Sequence, residues 1–100
     1  MNQTPQVYQS IVLANDSSES HIQYISAMVS NPNVTPKEIR EQFVKSIAML
    51  ESIKDKENMW VAWLNMELIL GDFMGVVKRA LESGVGLPIY SRIIEILREQ

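Results

Sequence analysis

The chain has 100 residues, of which 46% are hydrophobic and 21% charged, and its formal net charge is −3. This length suits one domain, and the hydrophobic content is that of a globular chain rather than a disordered one. The absence of cysteine excludes disulfide frameworks and thiolate metal sites, and the acidic balance gives no overall attraction to phosphate backbones.

Strand patterns are nearly absent, and the sequence predicts six helices. The first is a short helix over residues 5–14, which Pro5 would open. The second begins at a serine cap, either Ser17 or Ser18, and ends at the turn Asn31–Asn33. Both segments have apolar residues about one helical turn apart, which is typical of helices with one buried face.

The third helix has the clearest start signal in the chain. Thr35 is a suitable N-cap, Pro36 can occupy the first helical position, and Glu38 completes a capping box. The apolar residues that follow recur at spacings of four, four and three, as on one face of a helix. We expect this helix to extend over residues 36–54.

The fourth helix lies within residues 56–72 and is apolar on nearly every side. Its longest apolar run is interrupted only by Asn65 and Glu67, and it contains two tryptophans, Trp60 and Trp63, three residues apart. A helix of this kind needs neighbours on nearly every side, as an internal helix has in a stack of helical hairpins.

Two further helices follow. The fifth begins after Asp72, a suitable N-cap, and stops at Gly84, and the sixth begins at Pro88. If the sixth is the first helix of a third hairpin, its partner helix is missing, and part of its apolar surface is left uncovered. That surface would dock a protein partner or a second copy of the chain, through Ile93, Ile94, Ile96 and Leu97.

A weak internal repeat supports the stacked arrangement. Aligning His21 with Trp60 places Tyr24 opposite Trp63, the helices that follow also align, and Tyr90 can be set against Trp60 to include the last segment. We therefore predict one domain over residues 1–100. Its two and a half repeats would occupy residues 17–54, 57–84 and 87–99, after the short first helix.

These residues resemble the half-a-tetratricopeptide (HAT) repeats of RNA-processing scaffolds. That pattern has a tryptophan, an aromatic residue three positions later and a glutamate four beyond, and then a second helix with an Arg-Ala-Leu core. The residues that match it by packing role are Tyr24, Trp60, Trp63, Glu67, Arg79, Ala80 and Leu81. His21 departs from the pattern, since it stands where the family has tryptophan. Within the family, the segment around Trp60 looks most like the C-terminal HAT region of a large nucleolar factor of pre-ribosome assembly.

The resemblance implies an all-α fold of antiparallel helical hairpins, stacked as a short HAT/TPR-like α-α superhelix. It also implies a non-catalytic protein-interaction scaffold in pre-rRNA processing and small ribosomal subunit assembly, located in the nucleus and its nucleolus. Scaffolds of mRNA 3′-end processing and splicing use the same repeats, so those pathways are the alternative. No cofactor is implied.

The residues themselves offer no catalytic set. Glu67 has no second acid or base near it in the pattern, so we expect a structural hydrogen bond, with a cation such as Arg79 or Arg40 as partner. His21 is the single histidine, and a packing role fits it better than metal binding. We likewise expect the two tryptophans to pack in the core rather than stack on bases. The sequence predicts no enzyme and no metal site.

Basic residues are frequent on the third helix and just after it, so direct contact with rRNA is an alternative function. The cations that would contact phosphate or an acidic partner are Lys37, Arg40, Lys45, Lys54 and Lys56. Glutamates lie among them, so an ordinary solvated face is the other interpretation. No apolar run is long enough to span a bilayer and no secretory signal is recognisable, so we expect an intracellular protein without membrane contact.

Overall fold

The computed structural model describes residues 17–99, which contain five α-helices and no strand. We number them α1 (Ser18–Val29), α2 (Pro36–Met49), α3 (Ile53–Leu70), α4 (Phe73–Ser83) and α5 (Leu87–Glu99). The predicted all-α fold, of the helical-repeat kind, is confirmed for these residues. The predicted helix over residues 5–14 lies outside the described residues.

The chain divides into two compact units, at residues 1–59 and 60–100, and the division falls within α3. The described part of the N-terminal unit holds α1, α2 and the start of α3, and α1 packs against α2. The C-terminal unit holds the rest of α3 with α4 and α5. The division into repeats at residues 17–54, 57–84 and 87–99 stays a prediction.

The first two helices begin where the sequence predicts. Ser17 caps α1, since its Oγ accepts the backbone N–H of Ser20 at 3.3 Å. At the start of α2 the capping box is complete. Thr35 Oγ1 accepts the backbone N–H of Glu38 at 3.2 Å, and Glu38 Oε1 accepts the backbone N–H of Thr35 at 3.0 Å. These bonds satisfy amide groups that a helix start would otherwise leave unpaired.

α2 is shorter than predicted and ends at Met49. Leu50 has an extended backbone, with φ −75° and ψ 137°, and its side chain is buried. α3 then begins at Ile53, and Ser52 Oγ accepts the backbone N–H of Asp55 at 3.3 Å. The prediction of one helix over residues 36–54 is therefore wrong in its last turn, where no glycine or proline marks the break in the sequence.

Each unit has its own apolar core. In the described part of the N-terminal unit the buried apolar side chains are Tyr24, Ile25, Ile39, Phe43, Leu50 and Met59. In the C-terminal unit they are Trp60, Trp63, Leu64, Val76, Val77, Ala80, Ile89, Ile93 and Ile96. Side chains of this size, when fully buried, contribute roughly 1.5–3 kcal/mol each relative to an exposed position.

The apolar part of α3 is buried or half-buried along two turns. From Trp60 to Glu67, two full turns of helix, no residue is exposed. The cover ends abruptly, since Leu68 and Ile69 keep 48% and 77% of their surface accessible. The sequence predicts this internal position from the apolar character of the helix on every side.

The turn between α3 and α4 consists of a glycine and Asp72, the N-cap that the sequence predicts. Gly71 has φ 104°, a backbone conformation that residues other than glycine rarely adopt. Asp72 then caps α4, because its Oδ1 accepts the backbone N–H of Gly75 at 3.3 Å. α4 ends at Gly84, whose φ of 74° is that of a left-handed C-cap. Within residues 17–99, no helix is long and apolar enough to cross a membrane.

Candidate functional site

The HAT-like residues of the C-terminal unit meet around the ring of Trp63. Trp60 stacks on it, with ring centroids 5.5 Å apart and planes inclined by 17°. Glu67, one turn further along α3, accepts the indole N–H of Trp63 through Oε2 at 3.1 Å. The guanidinium carbon of Arg79, on α4, lies 5.6 Å from the Trp63 ring centroid. We call these four residues the Trp63 cluster.

Glu67 also joins the Trp63 cluster to the turn that follows α3. Its Oε1 accepts the backbone N–H of Asp72 at 3.0 Å, and its backbone carbonyl accepts the N–H of Gly71 at 2.8 Å. Only 1% of the residue is exposed. A carboxylate in such a place is stable only when its oxygens are paired. Both carboxylate oxygens of Glu67 therefore accept hydrogen bonds that stabilise the fold. Arg79 contacts the Trp63 cluster through the Trp63 ring.

The other residues of the HAT-like pattern differ in their exposure. Ala80 is fully buried in the C-terminal unit, whereas Leu81 keeps 49% of its surface exposed and is not the core residue that its match to the HAT-like pattern predicts. Leu81 lies at the edge of the buried face formed by Val76, Val77 and Ala80. Tyr24 is buried in the N-terminal unit, and this burial raises the pKa of its phenol.

The single histidine is fully buried in the N-terminal unit. Nδ1 of His21, on α1, lies 2.6 Å from Oγ of Ser46, on α2, and Ser46 Oγ also accepts the side-chain N–H of Gln42 at 3.1 Å. The sequence did not predict this link between the two helices. The available signal is that His21 stands where the HAT-like pattern has tryptophan. Among residues 17–99, no three side chains of His, Asp or Glu are grouped as metal ligands would be.

The predicted phosphate-contacting cations do not lie on one helix. Three of them are on α2 and two on α3, in the order Lys37, Arg40, Lys45, Lys54 and Lys56. Lys56 is half-buried, and its Nζ donates to the backbone carbonyl of Ile47 at 2.6 Å. It therefore caps the C-terminal end of α2. A phosphate contact by the other four stays a prediction.

The predicted docking residues of α5 separate into two faces. Ile93 and Ile96 keep only 6% and 1% of their surface exposed, so the exposure predicted for these two is wrong. Together with Ile89 they recur at spacings of four and three and form the face that packs inside the unit. Ile94 and Leu97 lie outside that face and are about half exposed.

An apolar groove extends the exposed surface of the C-terminal unit. It has a volume of about 340 Å³. Its lining comes from the end of α3, the start of α4 and the end of α5, through Leu68, Gly71, Asp72, Phe73, Met74 and Leu97. Leu68, Met74 and Leu97 are exposed apolar residues, so the surface around Leu97 is continuous across the three helices.

Comparison with known proteins gives one informative similarity. Over 95 residues the chain is 32% identical to the rRNA biogenesis protein RRP5 of Drosophila melanogaster, in an alignment that covers 92% of this chain and 7% of RRP5. The chain thus spans a small part of the relative that it matches. No protein-family model and no solved structure matches it. The similarity supports a relation to RRP5, in agreement with the resemblance to a pre-ribosome assembly factor, while the assignment to HAT repeats stays a prediction.

Proposed function

We propose that the chain is a non-catalytic protein-interaction scaffold in pre-rRNA processing and small ribosomal subunit assembly, working in the nucleus and its nucleolus. The proposal rests mainly on the 32% identity to RRP5 over 95 residues. Because the alignment covers 7% of RRP5, extending the role of that whole protein to this chain is an inference. Its partners would be proteins of a pre-ribosomal complex.

The geometry of the polar residues supports a scaffold rather than an enzyme. Glu67 is buried and binds the Trp63 indole and the Asp72 amide, so it contributes to stability. His21 is buried against Ser46 in the same manner. Groups that are committed to such internal bonds hold helices in place, which a docking surface requires.

The exposed apolar residues of the C-terminal unit supply the docking surface. Leu68, Met74 and Leu97 lie at one groove, and large exposed apolar patches on soluble proteins commonly mark sites of protein interaction. The proposed scaffold would bind its partners there, through a buried apolar centre and a polar rim.

Affinity purification of the tagged chain from its native cell tests the pathway. The proposal expects small-subunit precursors and pre-rRNA in the purified fraction. A fraction that contains mRNA 3′-end processing or splicing factors, without pre-rRNA, would show that the pathway is wrong.

A pair of variants makes this test specific for docking. Met74→Ser changes the groove, whereas Ile53→Ser changes an exposed apolar residue of the N-terminal unit that lies outside it. Loss of the pre-ribosomal proteins with Met74→Ser but not with Ile53→Ser supports docking at the groove. Equal recovery with both variants contradicts it.

A further inference from the structure

Methionine is frequent in this chain, and one methionine is both exposed and part of the docking surface. Five of the six methionines lie in the described residues. Met74 is the most exposed of the five, with 60% of its surface accessible, and Met49 follows with 42%. Met59 is fully buried, and the remaining two are half-buried: Met28 and Met66. The methionines therefore differ widely in how easily a reagent in solution reaches them.

Met74 belongs to the lining of the apolar groove. It lies in the first turn of α4, and the other large apolar side chains of the lining are Leu68, Phe73 and Leu97. Leu68 and Leu97 are each 48% exposed, so Met74 is the most exposed apolar residue of the groove. A thioether is flexible and polarisable, and it packs against side chains of many shapes. The affinity of the groove for an apolar partner therefore depends in part on the chemical state of one sulfur atom.

We propose that Met74 is an oxidation site that regulates the docking groove. Hydrogen peroxide converts its thioether to the sulfoxide, and the groove then releases its partner. This inference rests on the proposed function, since it names a means of regulating the same surface.

The reaction needs only the peroxide and this one side chain. The thioether sulfur attacks one peroxide oxygen, so that an S–O bond forms as the O–O bond breaks. The sulfur gives up two electrons, and the peroxide is reduced. The hydroxide that leaves takes the proton from the transferred oxygen and becomes water, and the neutral sulfoxide remains on Met74.

Exposure makes Met74 more reactive than a methionine of the core. Peroxide reaches its side chain in the folded chain, because more than half of the residue is accessible. Met59 is 0% exposed, and it becomes accessible only when the structure around it opens. Local opening requires free energy, so the sulfur of Met59 should react much more slowly.

Oxidation of Met74 changes a surface and leaves the core intact. The buried face of α4 is formed by Val76, Val77 and Ala80, and Met74 is not part of it. At an exposed position the sulfoxide oxygen stays hydrated, so the new polar group should destabilise the fold little. The same change at Met59 would place a polar oxygen in the core of the N-terminal unit. Selective oxidation of Met74 is therefore compatible with a folded chain.

The sulfoxide opposes docking because a bound partner would cover it. A polar oxygen that is buried against apolar side chains without a hydrogen-bond donor is unfavourable. We expect the partner to bind at least about tenfold more weakly to the oxidised groove. Methionine sulfoxide reductases convert the sulfoxide back to methionine, so the change is reversible.

Peroxide treatment of the purified full chain, followed over time by mass spectrometry of its peptides, tests the oxidation site. Met74 should be oxidised at least about tenfold faster than Met59. The Met49→Leu variant removes the other exposed methionine of the described residues. After oxidation of Met74 in this variant, the midpoint of urea unfolding should equal that of the untreated variant. Oxidation of Met74 no faster than that of Met59, or a lowered midpoint, would overturn the proposal.

Capture of partners by the oxidised chain tests the effect on docking. The tagged chain is oxidised, freed of peroxide and mixed with an untreated extract of its native cell. Recovery of pre-ribosomal proteins should fall at least about tenfold, and treatment of the chain with methionine sulfoxide reductases should restore it.

Two leucine variants make the capture test specific for Met74. Met74→Leu keeps the groove apolar but has no sulfur to oxidise, so it should capture the proteins equally with and without peroxide. Met49→Leu is the matched control, since Met49 is also exposed but lies outside the groove, and it should lose the proteins as the wild type does. Equal loss from both variants after peroxide treatment would overturn the proposal.

These outcomes are distinct from failure of the proposed function. A chain that captures no pre-ribosomal protein before oxidation refutes the proposed function, and the order in which the methionines react still decides whether Met74 is the oxidation site. A chain that captures the same proteins equally before and after oxidation of Met74 refutes the regulation and leaves the proposed function in place.

Discussion

Glu67 accepts a hydrogen bond from the indole N–H of Trp63, one helical turn away, in a position that is almost fully buried. Its second oxygen accepts the backbone N–H of Asp72, the N-cap of α4. One carboxylate therefore fixes the orientation of a core ring and the course of the chain into the next helix. The glutamate of the HAT-like pattern stabilises the fold at this position.

Replacement of Glu67 should lower stability strongly. Glu67→Ala leaves the Trp63 and Asp72 N–H groups without their acceptors in a buried region, and we expect the free energy of unfolding to fall by about 2–4 kcal/mol. Glu67→Gln should cost less, because the amide keeps one acceptor oxygen. Urea unfolding followed by circular dichroism measures both. Glu82→Ala, at an exposed glutamate of α4, is the control and should change the free energy by less than about 0.5 kcal/mol. Equal effects at the two glutamates would contradict the assigned role.

His21 and Ser46 should be energetically coupled. They are buried and 2.6 Å apart, so either single alanine variant removes the bond between α1 and α2. A double-mutant cycle with His21→Ala and Ser46→Ala should give an interaction energy of about 0.5–3 kcal/mol in urea unfolding. Strictly additive effects would show that the pair is not coupled.

Lys56 and Lys54 should differ although both are cations of α3. Lys56→Met removes the hydrogen bond to the Ile47 carbonyl, and we expect a loss of about 1 kcal/mol in the free energy of unfolding. Lys54→Met, at an exposed position, should change it by less than about 0.5 kcal/mol. Similar small changes in both variants, with equal loss of RNA binding, would favour a phosphate-contacting role for the two lysines over the capping role of Lys56.

The capping box should make stability depend on pH in the acidic range. The backbone N–H of Thr35, and then its hydroxyl, hold the pKa of Glu38 below its ordinary value. As the pH falls, the unfolded chain therefore binds the proton at a higher pH than the folded chain does. The contribution of Glu38 to the stability is present above its unfolded pKa, and it is lost as the pH falls through the lowered pKa of the folded chain.

Thermal unfolding of the wild type and Glu38→Gln tests this dependence. The difference in stability between them should be largest near neutral pH and should shrink as the pH falls from about 5. Glu41→Gln, on the same helix but outside the capping box, is the control. A difference that stays constant down to low pH would contradict the assigned cause.

Local chemistry in the sequence predicted the helix starts and the glycine turns. Thr35, Asp72 and Gly84 act within a few residues of their own position, so their roles follow from neighbouring residues. The break at Leu50 did not follow, because an apolar side chain left the helix to become buried, and no turn residue accompanies it.

Contacts between distant parts of the chain were harder to predict. The bond between His21 and Ser46 joins residues 25 positions apart, and nothing local to either one indicates it. On α5 the sequence shows a helix with more apolar residues than one face can hold. The spacing of Ile89, Ile93 and Ile96 indicates one apolar face, but which of the apolar residues the unit buries depends on how the helix is rotated against it.

Both tryptophans of the chain belong to the stacked pair in the C-terminal unit, and the N-terminal unit has none. Intrinsic fluorescence excited at the indole band therefore observes one half of the molecule selectively. Helical ellipticity, in contrast, is contributed by both halves. If the two signals change at different denaturant concentrations, the halves melt as separate cooperative blocks, and the protein reports this without any attached dye.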